Sequence, residues 1–352
     1  CFYAEKEIAL AIAQLNKRKK PPRKLSSIIA QYEKNTHIQL AIKQREAIKT
    51  LFSSNIMILT GGPGTGKTET IKAIVNIYKA IFPSHKIAQA APTGRASRRL
   101  AEISGKEAKT IHRLLGIQPS IGPQYHPYRR LPYDLIVIDE FSMVDLFIAK
   151  DLFRAINPNS TLLIVGDKDQ LPSVGPGNIF HDLLRTNIPV IELTEVFRQA
   201  AESQIVLNAH RVNRGENIIT DPNKTDFYFL QTEDPYRILS LTQKSVTRLI
   251  EKGYDIDDIQ VLVPAKKDMI GTYNINNILQ EAINPTAIKE IKYGRKIFRI
   301  NDKVMQVKNN YDKEVFNGDI GKIVDIAPLF ENGEKVEDEV LYVEYGDKKV
   351  YY

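Results

Sequence analysis

The run Gly61-Gly62-Pro63-Gly64-Thr65-Gly66-Lys67-Thr68 constrains this chain more than any other feature. It fits G-x-x-x-x-G-K-[ST], follows the apolar stretch Ile56 to Leu59, and precedes a helical pattern marked by Ile71, Ile74 and Ile77. Glycines let the backbone turn tightly enough for successive N–H groups to converge on phosphate oxygens, and the following helix adds the positive end of its dipole. Such a strand, loop and helix belong in an α/β domain with a parallel sheet. Gly62, Pro63, Gly64, Thr65 and Gly66 are expected to cradle a nucleotide. Lys67 would reach its β and γ phosphates, and the Thr68 hydroxyl would face Mg²⁺.

Further apolar runs support that sheet: Ile87 to Ala91, Leu135 to Ile138, Leu162 to Val165 and Val190 to Leu193, spaced by longer helical patterns. Runs too apolar for a one-faced strand indicate a sheet covered on both sides. At the end of Leu135 to Ile138 stand Asp139 and Glu140. Asp139 is placed to hold the magnesium through its water shell, and Glu140 to orient and deprotonate an attacking water. A small-molecule kinase has no use for the second carboxylate, and no Asn-Lys-x-Asp guanine reader follows a strand. Hydrolysis of ATP is therefore expected over the chemistry of a kinase or a signalling GTPase. The loop after Val165 carries Gln170, whose amide at a strand's C-terminal edge can report on a γ-phosphate; taken alone, GDKDQ is also an ordinary polar loop.

The remaining chain divides by texture. Residues 1 to 36 hold a helical stretch, the basic run Lys17 to Lys20, and then Pro21 and Pro22, which interrupt the helix. After Arg198 the α/β pattern repeats more loosely, with helices around 203 to 213 and 236 to 252 and strands at Phe227 to Leu230 and Val261 to Val263. From about 302, short strands at Val304 to Val307, Ile320 to Ile326 and Val340 to Tyr345 are broken by the turn signals Asn317-Gly318 and Gly346-Asp347. The chain starts without methionine and stops inside a strand-like alternation, so a fragment of something longer is expected. Its one cysteine, Cys1, excludes an internal disulfide, and six scattered histidines lack metal-ligand spacing. With no long apolar run, a soluble, cytoplasmic protein is expected. Its 49 basic against 42 acidic residues, net +7, weakly favour a polyanionic partner.

Several segments suit such a partner. Pro92 and Thr93 follow a strand, and Thr93 can cap the next helix, leaving N–H groups free for a phosphate. Arg95, Arg98 and Arg99 share a helical face, either against nucleic acid or simply in solvent. His112 in KTIHRLLG, taken alone, reads as a packing histidine. Residues 116 to 132, with Tyr125, Tyr128, Arg129 and Arg130 among prolines and glycines, form either a surface loop or a small hairpin. Asn309 follows Val304 to Val307, where Tyr311 and Phe316 offer π faces for bases or pack against the β module.

The ordered set GGPGTGKT, APTGRAS, KTIHRLLG, IDEFSM, GDKDQLPSVGPG, LTEVFRQ and DKVMQVKNNYDKEVFNGDIG resembles the RecD-like (1B) branch of the superfamily 1 DNA helicases from about residue 40 to 325. The resemblance implies an N-terminal helical segment (1–36) and an ATP-binding RecA-like domain (37–197) whose 116–132 insert resembles the family's strand-splitting hairpin. A partial second RecA-like domain (198–318) and a truncated SH3-like β insert (319–352) would follow. It implies ATP and Mg²⁺ bound between RecA-like domains and 5′ to 3′ movement on single-stranded DNA. Duplex junctions and recombination or repair proteins would be the other partners of a monomer. By motif, Gln44 resembles the adenine-reading glutamine, Arg198 the arginine that touches the γ-phosphate, and His112 lies in a strand-contacting motif. The family's later motifs, including a second catalytic arginine, are absent, so the alternative is a nucleotide- and DNA-binding module without turnover.

Overall fold

Every residue of β1 (Ile56–Gly61), β4 (Leu135–Ile138) and β5 (Thr161–Gly166) is buried. Strands this apolar cannot show a face to water. The computed structural model describes all residues except 119–120, 196–201, 224–225, 287, 295, 309, 311, 314, 316, 332–333 and 347, and it covers these strands on both sides. They sit inside a six-stranded sheet with β2 (Ile87–Ala91), β3 (Lys109–Thr110) and β6 (Val190–Leu193), in the order β3-β2-β4-β5-β1-β6. Every pairing is parallel; Ile58, for example, lies between Ile164 and Val190.

Alternation along each strand builds two cores. Ile56, Ile58, Ile136, Ile138, Leu162 and Ile164 enter one with Phe141, Phe153 and Phe180. Their neighbours Met57, Leu59, Leu135, Val137, Leu163 and Val165 enter the other with Ile48, Ile71 and Ile74. Helices α1 (Phe2–Leu15), α6 (Ile111–Leu115), α7 (Leu146–Ala155) and α8 (Ile179–Leu184) cover the first core. The second lies under α2 (Leu25–Thr36), α3 (Ile42–Leu51) and α4 (Lys67–Ile81), with Leu100 of α5 (Gly94–Ser104). Side-chain caps fix where these helices start. Asp145 accepts from the N–H groups of Phe147 and Ile148 (2.8 and 3.0 Å), and Thr110 from that of Arg113 (3.2 Å).

The structure has two compact units, Cys1–Tyr228 and Phe229–Tyr352. The first ends beyond α9 (Gln204–Asn213). The second begins with α10 (Pro235–Glu251) and α11 (Thr272–Ile283), followed by the hairpin β7 (Glu290–Tyr293) and β8 (Lys296–Arg299). It ends in an antiparallel sheet ordered β12-β11-β10-β9, made of β9 (Lys303–Met305), β10 (Ile320–Glu331), β11 (Glu334–Tyr345) and β12 (Lys348–Tyr351). Val315, Ile323, Ile326, Val343 and Tyr345 form its core. Gly346, at φ 60°, makes the turn that pairs Tyr345 with Lys348. The strands expected at Phe227–Leu230 and Val261–Val263 do not form. Their backbones join no ladder, and Phe229, Leu230 and Leu262 are exposed rather than covered. An apolar run becomes a strand only where a neighbour takes its N–H and C=O groups.

The basic run near the N-terminus is not wholly solvated. The Lys19 N–H donates to Ser53 O (2.9 Å), and its ammonium donates to Thr161 Oγ1 (2.6 Å) at the start of β5. Burial lowers Lys19 from the ordinary 10.5 to about 8. The folded chain thus releases this proton before the unfolded chain does, so stability should rise with pH between about 8 and 10. Melting temperatures measured across that range should climb for the native chain and lose the climb in Lys19→Met.

Candidate active site

The loop between β1 and α4 turns on glycines in the left-handed region, Gly64 (φ 73°) and Gly66 (φ 80°). Gly61 is required for a different reason: a Cβ there would lie 2.7 Å from both Leu193 O of β6 and Thr65 Oγ1. Inside the loop, Thr65 Oγ1 donates to Gly62 O (2.8 Å), and Lys67 Nζ donates to Gly61 O (2.6 Å) and Gly62 O (3.1 Å). The lysine folds back onto carbonyls of its own loop, which hold its charge where phosphate oxygens would otherwise do so. Gln44 is buried beneath: its Nε2 donates to Gly66 O (3.3 Å) and Thr70 Oγ1 (3.1 Å), while Oε1 accepts from the Ala41 N–H (2.9 Å). Gln44 therefore braces the loop from α3.

Asp139 and Glu140 leave β4 on the same edge of the sheet. Burial raises the Asp139 carboxyl to about 6, with the Glu140 charge adding to the rise; the Glu140 N–H, donating at 2.9 Å, and the positive charges of Lys67 and Arg99 oppose it. Glu140 adopts φ 52°, which for a non-glycine residue in a tight bend costs on the order of 1 kcal/mol. A buried carboxylate short of compensating charge and the hydroxyl of Thr68 are hard oxygen donors of the kind a hydrated Mg²⁺ takes. Among the described residues no group of three or more His, Cys, Asp or Glu could cage a metal ion. An ion held by Thr68 and Asp139 would draw its other ligands from phosphate and water.

The loop after β5 joins this edge. Ser142, one turn after Glu140, donates to Gln170 Oε1 (3.3 Å), so the exposed Gln170 is tied to the segment that carries both carboxylates. The Lys168 N–H donates to Thr60 Oγ1 (3.3 Å) and its ammonium pairs with Glu192 (2.7 Å), a contact that raises the lysine above its ordinary value. Lys67, Asp139, Glu140 and Gln170 are thus brought together, with Gln44 behind the loop.

The expected nucleic-acid residues are more dispersed. Pro92 and Thr93 sit at the end of β2, where Thr93 Oγ1 accepts from the Ala96 N–H (3.2 Å) and caps α5 as anticipated. Arg95, Arg98 and Arg99 are exposed on α5. His112 is half-buried on α6; desolvation lowers it below its ordinary value, against an opposing pull from the Asp145 carboxylate. In the 116–132 segment, Gln118 pairs with Gly122 and His126 with Arg129, Arg129 lies over the Tyr125 ring, and Tyr128 is almost fully exposed. Arg198, Asn309, Tyr311 and Phe316 lie outside the described residues.

Two residues at this edge escape sequence reasoning. Arg99 acts on Asp139 electrostatically, yet helical spacing could not separate it from Arg95 and Arg98. His210 of α9 packs against Gly62, and no motif pointed to it.

Comparison with known proteins agrees with this arrangement. Residues 44–176 match the family model of an AAA domain, and residues 275–345 that of the ATP-dependent RecD-like DNA helicase SH3 domain. The chain is 34% identical over 285 residues to the ATP-dependent RecD2 DNA helicase of Deinococcus radiodurans, covering 81% of this chain and 38% of that protein. It is 41% identical over 165 residues to the RecBCD enzyme subunit RecD of Mycolicibacterium smegmatis, covering 40% of this chain and 30% of that subunit. Against the RecD subunit of Mycobacterium tuberculosis the figures are 29% over 324 residues, 80% and 55%. The chain therefore spans less than two thirds of these relatives. A structure of Pif1 helicases at forked double-stranded DNA shares the fold, with TM-score 0.51, 19% identity, and coverage of 89% of this chain and 76% of that one.

Because Gly61 has no room for a methyl group, Gly61→Ala should cost about 1–3 kcal/mol through overpacking and distort the loop. Thermal unfolding and equilibrium binding of ATP should record both losses, whereas Gly105→Ala, with open space around its Cβ position, should leave ATP binding unchanged.

Proposed function

Since this chain belongs with the RecD-like helicases, we propose that it is the motor portion of an ATP-dependent DNA translocase and helicase moving 5′ to 3′ on single-stranded DNA. The observation that carries this reading is the convergence of Lys67, Asp139, Glu140 and Gln170 at one edge of a single parallel sheet, braced by Gln44. Parallel α/β sheets bind ligands outside the carboxyl ends of their strands.

Mg-ATP, when bound, supplies the phosphoryl group and the cation that neutralises it. Lys67 exchanges the carbonyls of Gly61 and Gly62 for phosphate oxygens. Thr68 and Asp139 would hold the cation, Asp139 through its water shell. Glu140 orients a water and takes its proton, and Gln170 senses the γ-phosphate and passes its state to the Glu140 segment through Ser142. Arg198 would approach the same phosphate and couple hydrolysis to closure of two RecA-like domains. Gln44, occupied with the loop and α4, reads the adenine by a change of partner.

On the nucleic-acid side, Pro92, Thr93 and the start of α5 hold a phosphate of the strand, with Arg95, His112 and Asn309 as further contacts. Such contacts position the strand without reading its sequence. The substrates are single-stranded DNA and duplex junctions, and recombination or repair proteins are the proposed partners of a monomeric motor.

Phosphate release with and without a single-stranded oligonucleotide tests the reading. Lys67→Ala should lose ATP binding and hydrolysis together. Glu140→Gln should keep binding and slow DNA-stimulated hydrolysis by about 10²- to 10⁴-fold. Release undiminished in either variant would contradict the assignment, and ATP and DNA binding without any hydrolysis by the native chain would favour a binding module. Oligonucleotide affinity should fall steeply between low and high salt, because phosphate contacts dominate it; an affinity indifferent to salt would exclude the proposed strand contacts.

A further inference from the structure

His210 stands against the phosphate loop, yet the hydrolytic scheme does not use it. A Cβ on Gly62 would lie 2.8 Å from its Cε1, 3.5 Å from Nδ1 and 3.8 Å from Nε2, so the imidazole occupies the space a side chain at that loop position would need. Gly62 has none of the positive φ that explains Gly64 and Gly66. Its lack of a side chain is explained by the ring. The Nε2 atom is buried and, among the described residues, has no hydrogen-bond partner. Orphaned buried nitrogens are rare, and each calls for an explanation.

The helix that carries the ring is also held in place. Ser203 caps α9 through the Val206 N–H (3.4 Å) and donates to Asp226 (2.7 Å). Asn208 exchanges two 2.8 Å hydrogen bonds with the backbone of Ile219, and Arg211 Nε donates to Asn217 O (2.7 Å).

The loop itself supplies the complementary need. Here Lys67 donates to the carbonyls of Gly61 and Gly62. Phosphate oxygens would draw the ammonium away and leave the Gly62 carbonyl without its charged donor, on a residue whose Cα the imidazole already faces. We propose that His210 is a positioning residue: as nucleotide enters, its Nε2–H replaces Lys67 at the Gly62 peptide and holds the occupied loop from behind. The exchange makes no covalent bond and transfers no proton; one N–H donor replaces another. The inference rests on the nucleotide-binding reading above.

The test uses the 352-residue chain with ¹⁵N-labelled histidine, Mg²⁺ and a non-hydrolysable ATP analogue. The His210 Nε2 resonance, assigned by its loss in His210→Gln, should shift on addition of the analogue. His210→Ala should raise the KM for ATP about five-fold, the value of one neutral hydrogen bond, with little change in kcat. His210→Gln, whose amide nitrogen reaches the place of Nε2, should restore most of it. Gly62→Ala should weaken binding in the native background and add nothing in His210→Ala. An unmoved resonance on a chain that binds the analogue, or equal losses in His210→Ala and His210→Gln, would reduce His210 to packing and overturn the inference. Failure of the native chain to bind the analogue would overturn the nucleotide reading itself.

Discussion

The structure depends on the parallel ladder of β1, β4 and β5 being buried on both faces. Parallel strands cannot be joined by tight turns, so each is followed by a helix that crosses back over the sheet, and all their carboxyl ends fall on one edge. The ends of β4, β5 and β1 therefore lie side by side although far apart in the chain, with Ile138 paired to Ile164 and Thr60 to Gly166. The two-sided core also makes that edge rigid: Ile58, Ile136 and Ile164 pack in one layer while Leu59, Val137 and Leu163 pack in the other, leaving the strands no freedom to slide. Placing a loop lysine against a carboxylate requires such a platform.

On that platform the site gathers opposite charges at one edge of the sheet. Lys67 spends its donors on its own loop, Asp139 is held well above the usual carboxylate range, and Glu140 bends through an unfavourable backbone angle. Each is a cost in the free chain that a magnesium-bound phosphate would relieve.

Much of this was legible in the residues. Strands buried on both faces announce themselves as unbroken apolar runs, and all five such runs between 56 and 193 are strands of the one sheet. The loop, with its glycines and lysine, and the acidic pair after Ile138 were equally plain, because their chemistry demands fixed spacing. Phe227–Leu230 and Val261–Val263 have the apolar character of strands without the pairing. Composition records a residue's wish for burial and says nothing of whether a neighbouring strand is present. The hairpin of β7 and β8 was missed because Lys292, Tyr293 and Lys296 look solvated in sequence. His210 and Arg99 were invisible for another reason: their roles come from contacts across the fold, with Gly62 and Asp139, and no local pattern marks them.

The most direct test is a crystal structure of the chain with Mn²⁺ in place of magnesium and a non-hydrolysable ATP analogue. The account predicts anomalous density between the Thr68 hydroxyl and the Asp139 carboxylate, with the Lys67 ammonium moved from the carbonyls of Gly61 and Gly62 onto phosphate. Triphosphate bound elsewhere, with Lys67 still on those carbonyls, would contradict it.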